Sequence, residues 1–83
     1  MKFWVIIDSS SNCFPCEQLE AMLPCLRERF PKARFDLNKI IGPGFRPLTT
    51  IYYEEQGRWY EYGRRFGYLE PEKFEEFLKG YLE

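Results

Sequence analysis

Two neighbouring stretches, Lys2-Phe3-Trp4-Val5-Ile6-Ile7 and Cys13-Phe14-Pro15-Cys16, decide the fold of this 83-residue chain. The first is apolar after Lys2, as expected of a central strand covered on both faces. Between them, Asp8-Ser9-Ser10-Ser11-Asn12 reads as a polar turn rich in residue types that cap helices. The cysteines therefore fall at the start of a helix, three positions apart, where they can close a disulfide. Unpaired N–H groups and the helix dipole favour a thiolate at that place. One thiol that attacks and a second that releases it is what redox exchange requires.

The helix is expected to run to about Phe30, with Pro31 marking its end. Leu19, Leu23, Leu26 and Phe30 are spaced four, three and four apart and form one apolar face. Cys16 continues that stripe three positions back. At roughly 100° per residue, Cys13 lies about 60° from Cys16, at the exposed tip, and Cys25 about 180° away on the outer face. This predicts an accessible attacker, a sheltered partner and a third thiol outside the pair. Pro24 sits inside the helix and is expected to kink it, since the stripe continues beyond.

Ala33 to Asn38 alternates apolar and polar residues and reads as a strand. Lys39 to Phe45 contains Gly42-Pro43-Gly44 and reads as a loop. Leu48 to Tyr53 and Arg58 to Tyr62 form a hairpin around Glu54-Glu55-Gln56-Gly57. Gly63 to Leu69 leads into a last helix, with Pro71 at its first position and Phe74, Phe77, Leu78 and Tyr81 or Leu82 facing inward. The order β–α–β then β–β–α gives an α/β fold with a four-stranded mixed sheet, residues 1–83 as one domain, and a helix to cover each face. The first two strands are expected parallel, joined by a right-handed crossover. The third is expected antiparallel to the first.

Composition excludes other classes. Hydrophobic residues make up 45% and aromatics 19% of the chain, against disorder. Net charge is −1, without the basic field that nucleic acid or an anionic membrane surface attracts. Tyr52, Tyr53, Trp59, Tyr60 and Tyr62 read as core and cross-strand pairs rather than a base-stacking platform. The chain has three cysteines and no histidine, which suits neither a closed disulfide scaffold nor a four-ligand zinc site. The opening apolar run is short and strand-like, and no segment approaches the ~20 apolar residues of a membrane span. A reducing cytoplasm is the expected setting.

On these residues the chain resembles the thioredoxin and glutaredoxin family over nearly its whole length, as a minimal thioredoxin fold with its second connecting helix shortened to a loop. Cys13-Phe14-Pro15-Cys16 is similar to the C-x-P-C pattern. Gly67 to Leu78 resembles the thioredoxin ending, a strand-closing glycine followed by a helix with two apolar anchors. The resemblance implies a cis-proline at the head of the third strand, for which Pro47 is the candidate and Pro43 the weaker one. The chain departs from thioredoxins in carrying Asn12 where they have tryptophan. It also has Asp8, one position out of phase, as the acid nearest to their buried aspartate. It departs from glutaredoxins at Phe14 and at Phe45-Arg46-Pro47, where they hold glutathione.

The resemblance implies a thiol–disulfide oxidoreductase with Cys13 as nucleophile and Cys16 as resolving thiol, acting on protein or glutathione mixed disulfides. A substrate groove would lie between Phe14-Pro15, Arg46-Pro47 and an Arg65-Phe66-Gly67-Tyr68 loop, with an extended peptide pairing at Arg46. No bound cofactor or metal is expected. The electron donor would be a disulfide reductase or glutathione, and the protein a monomer that binds neither nucleic acid nor membrane. Two alternatives stay open: a non-catalytic adaptor using the same groove, and a glutaredoxin-type carrier bridging an iron–sulfur cluster between two copies through Cys13 and glutathione.

Overall fold

The computed structural model describes residues 2–40 and 47–83. Its elements are β1 (Lys2–Ser10), α1 (Phe14–Arg29), β2 (Ala33–Ile40), β3 (Leu48–Glu55), β4 (Arg58–Phe66) and α2 (Pro71–Leu82). The strands form one sheet in the order β2-β1-β3-β4. β1 and β2 are parallel, with Val5 beside Phe35, and β1 and β3 antiparallel, with Val5 beside Ile51. This is the expected α/β topology. Most of the loop expected over Lys39 to Phe45, including Pro43, lies outside the described residues.

Alternation along β1 sorts the molecule into two unlike faces. Val5 and Ile7 are fully buried and share one core with Leu19, Leu23, Leu26 and Phe30 of the α1 segment, Phe35, Ile51, and Phe74 and Leu78 of α2. At about 1.5–3 kcal/mol for each large apolar side chain removed from water, this cluster is the main favourable term of the fold. The stripe read from the 4-3-4 spacing is buried as expected, and Cys16 continues it. α1 is one helix through Pro24.

Both helices lie on this one face, tied to each other by Arg29 and Glu75 at 3.5 Å. That corrects the expectation that each would cover its own face. The apolar stripes of α1 and α2 converge on the same odd-numbered residues of β1, so neither is left for Trp4, Ile6 and Asp8. Trp4 is covered by side chains instead. Trp4 packs edge-on to Trp59 and tilted against Tyr52, lies under the Arg34 guanidinium, and donates from Nε1 to Asp36 Oδ2 at 2.7 Å.

All four strands are longer than expected, β2 by Lys39 and Ile40 and β3 by Glu54 and Glu55. β1 continues through Ser9 and Ser10, which are buried and pair with Lys39 and Ile40. The Ser9 hydroxyl donates to Glu20 Oε1 at 2.8 Å, and a partnered polar group can be buried without penalty. β4 continues from Tyr62 to Phe66, because a bulge opposite Ile51 and Tyr52 absorbs one residue and lets pairing resume. Arg65 and Phe66 therefore belong to a strand, not to the expected loop. The β3–β4 turn is Gln56-Gly57 with φ of 53° and 79°, the left-handed pair that a two-residue hairpin favours.

At the bulge, Tyr62 and Gly63 both turn toward α2. Tyr62 packs edge-on to Tyr81 with ring centroids 5.0 Å apart. A Cβ at Gly63 would stand 2.5 Å from the same ring. Gly63→Ala is expected to cost about 1–3 kcal/mol in urea unfolding. In a Tyr81→Ala background the same change should cost little. Equal costs in both backgrounds would show that the ring is not what requires glycine there.

Candidate active site

The turn from β1 to α1 is made by Ser11 and Asn12, and Asn12 takes φ of 58°, a conformation asparagine tolerates better than most residues. The reversal makes Cys13 itself the N-cap of α1, a role the sequence assigned to the polar turn before it. Cys13 Sγ accepts the backbone N–H of Cys16 at 3.2 Å, and its carbonyl accepts that of Glu17 at 3.0 Å. Pro15, in the first turn, has no N–H to leave unpaired. The sulfur thus sits where the helix concentrates its free donors and positive end, which favours the thiolate once the disulfide is opened. Glu17 in the same turn opposes it.

Cys13 and Cys16 are joined as a disulfide, with Cα atoms 5.2 Å apart. Cys16 is wholly buried and Cys13 is 8% exposed. Cys13 is the more accessible of the two, yet less exposed than a bare helix tip would be, because its side chain folds back over the helix to meet Cys16. Cys25 is free and exposed, as its place on the outer face requires. Phe14 stands out from the first turn at 69% exposure.

Pro47 and Gly67 meet at the end of the sheet from which β1 leads into the cysteines. The Gly67 N–H donates to the Pro47 carbonyl at 2.7 Å, and Gly67 adopts φ of 91° just past β4. Pro47 is fully buried. The other expected groove residues do not all gather there. Phe66 pairs with Leu48, which itself pairs with Asp8, so its exposed side chain falls on the face away from the helices. Tyr68 turns the other way, into a cleft of about 380 Å³ between the helices that Met22, Cys25 and Pro71 also line. Arg46, and with it the Arg46–Pro47 peptide bond expected to be cis, lies outside the described residues.

Asp8, the candidate for the family's buried aspartate, is turned away from the pair. Asp8 lies on the face opposite α1 and accepts from Asn38 Nδ2 at 2.8 Å. Glu20, one helical turn beyond Cys16, is the acid on the helix side, held by Ser9 and by Lys39 Nζ at 3.4 Å. The sequence carried that signal in two periods, the i, i+4 spacing of Cys16 and Glu20 and the alternation of Val5, Ile7 and Ser9. Thr49, buried on the same face, has no partner for its hydroxyl among the described residues. Among those residues no helix is long and apolar enough to cross a membrane, and no three His, Cys, Asp or Glu side chains gather as a metal site.

Solved structures similar to this chain include thioredoxins and a thioredoxin-like protein. A thioredoxin of Trichomonas vaginalis superposes with a TM-score of 0.78 at 14% identity, over 95% of this chain and 78% of its own. A thioredoxin-like protein of Bacillus cereus gives 0.71 at 14% identity, over 96% and 88%. The oxidised mitochondrial thioredoxin 3 of Saccharomyces cerevisiae gives 0.67 at 19%, over 95% and 78%. No family model and no curated protein matches the sequence. The chain therefore has the thioredoxin fold, with a Cys-x-x-Cys pair opening its first helix.

In the reduced protein, iodoacetamide is expected to modify Cys13 before Cys16, read by peptide mass. The reverse order would mean that burial and helix position do not set reactivity here.

Proposed function

We propose that this chain is a thiol–disulfide oxidoreductase that reduces protein disulfides through Cys13 and Cys16. The observation that carries the reading is Cys13 as helix N-cap, its sulfur on the Cys16 N–H at 3.2 Å and within bridging distance of the Cys16 sulfur. The thioredoxin fold supports it.

The Cys13 thiolate attacks one sulfur of a substrate disulfide, forming a mixed disulfide and releasing the other substrate sulfur as thiolate, which takes up a proton. Cys16 then loses its proton and attacks Cys13 Sγ. The mixed disulfide breaks, the second substrate thiol leaves, and Cys13–Cys16 closes as the disulfide present in the structure. Two electrons have passed from the dithiol to the substrate. The buried resolving thiol reaches no outside partner, so the second step stays within the pair.

Phe14 offers substrate an exposed apolar contact beside the sulfur, with Pro15, Pro47 and Gly67 completing the groove. A disulfide reductase or glutathione in the cytoplasm returns the electrons. No metal or bound cofactor enters either step.

Reduction of a disulfide-bonded test protein by dithiothreitol should be accelerated by the wild-type chain and not by Cys13→Ser. Cys16→Ser should instead accumulate the mixed disulfide, visible by mass. A redox titration should give one two-electron couple between about −270 and −180 mV. Full activity in Cys13→Ser, or no couple in that window, would overturn the reading.

A further inference from the structure

Among the described residues β4 is an edge strand of nine residues, paired on one side only, with β3. Of the six exposed large hydrophobic side chains among the described residues, four lie on it, Trp59, Tyr60, Tyr62 and Phe66, each between 41% and 58% exposed. It carries neither lysine nor proline, residues that commonly protect such an edge from pairing. Its charges are Arg58, Glu61, Arg64 and Arg65.

The bulge gives this edge an unusual symmetry. Trp59 packs on Trp4, Glu61 pairs with Tyr52, and Phe66 with Leu48, all on the face away from the helices. Arg64 joins Glu61 on that face, donating from Nε at 3.1 Å and Nη2 at 2.5 Å, which holds the Glu61 carboxyl below its ordinary pKa. Tyr60 stacks on Tyr53, Tyr62 and Gly63 turn toward Tyr81, and Arg65 pairs with the buried Thr49, all on the helix face. Read from either end, Trp59 to Phe66 therefore shows the same order of faces.

We propose that β4 pairs antiparallel with β4 of a second copy of this chain, about a two-fold axis between Tyr62 and Gly63, joining two sheets into one. In that register every opposed pair shares a face and is chemically matched. Trp59 meets the partner's Phe66, and Tyr60 the partner's Arg65, an aromatic pair and a cation over a ring. Glu61 meets the partner's Arg64, twice by symmetry, and Tyr62 comes beside the partner's Gly63, where the absence of a side chain leaves both the Tyr62 and Tyr81 rings in place. Sliding by one residue sets Glu61 opposite Gly63, or Tyr62 opposite Arg64, on different faces. An unbulged strand could not pair with itself in this register, because adjoining positions would fall on opposite faces. The two cysteine sites then lie at opposite ends of the joined strands, and a dimer replaces the monomer expected from the sequence.

Sedimentation analysis tests this. The wild-type chain should sediment at about twice its 10.1 kDa. Glu61→Arg and Arg64→Glu should each weaken self-association by at least about tenfold, since each sets like charges opposite one another. Mixing the two single variants should restore the dimer, as should Glu61→Arg/Arg64→Glu, because both arrangements return opposite charges to both contacts. The restoration also shows that the single variants are folded. A monomeric wild type, single variants that stay dimeric, or a mixture that fails to associate would each overturn the proposal. None of these outcomes depends on redox activity.

Discussion

The structure depends on a single constraint: the two helices must bury their apolar stripes on the same face of one sheet. Val5 and Ile7 lie at the centre of that contact, fully buried against α1 and α2 together. Because β1 alternates, placing these two inward places Ser9 inward and Trp4, Ile6 and Asp8 outward. The position of every group near the cysteines follows from that phase. Ser9 meets Glu20 on the helix side, and Asp8 is turned to Asn38 on the other.

Packing α1 over β1 and β2 also positions its first turn. The chain leaves β1 at Ser10, reverses through Asn12 in a left-handed conformation, and enters the helix at Cys13. A cysteine used as the N-cap has its sulfur already aimed at the helix donors, so little reorganisation is needed when negative charge appears there. Cys16 is the first residue of the buried stripe. Its reach is limited to its neighbour by the same packing that holds the helix down. Reactivity and shelter thus come from one helix start, without a separate scaffold for each thiol.

The face without helices is organised differently. Indole, phenol and guanidinium groups cover one another over Trp4, and the same aromatic-rich pattern continues to β4 at the sheet edge. The bulge links the two faces. It admits one extra residue where Gly63 must yield to the Tyr81 ring, and in doing so it lengthens β4 and reorders its side chains.

Local order was legible in the sequence wherever a period or a cap expressed it. The 4-3-4 spacing of leucines and Phe30 gave the buried side of α1. The Cys13–Cys16 spacing placed a thiol at a helix start, and Gln56-Gly57 marked the hairpin turn. These are interactions between near neighbours in the chain, so residue type and spacing determine them. Tertiary structure alone decided that α2 shares its face with α1, that Ser9 and Ser10 extend β1, and that a bulge carries β4 to Phe66. It also sent Phe66 and Tyr68, adjacent to Gly67 on either side, to different surroundings. Each of these rests on contacts between residues separated in the chain, such as Ser9 with Glu20 or Gly63 with Tyr81, whose energies exist only once the strands and helices are assembled.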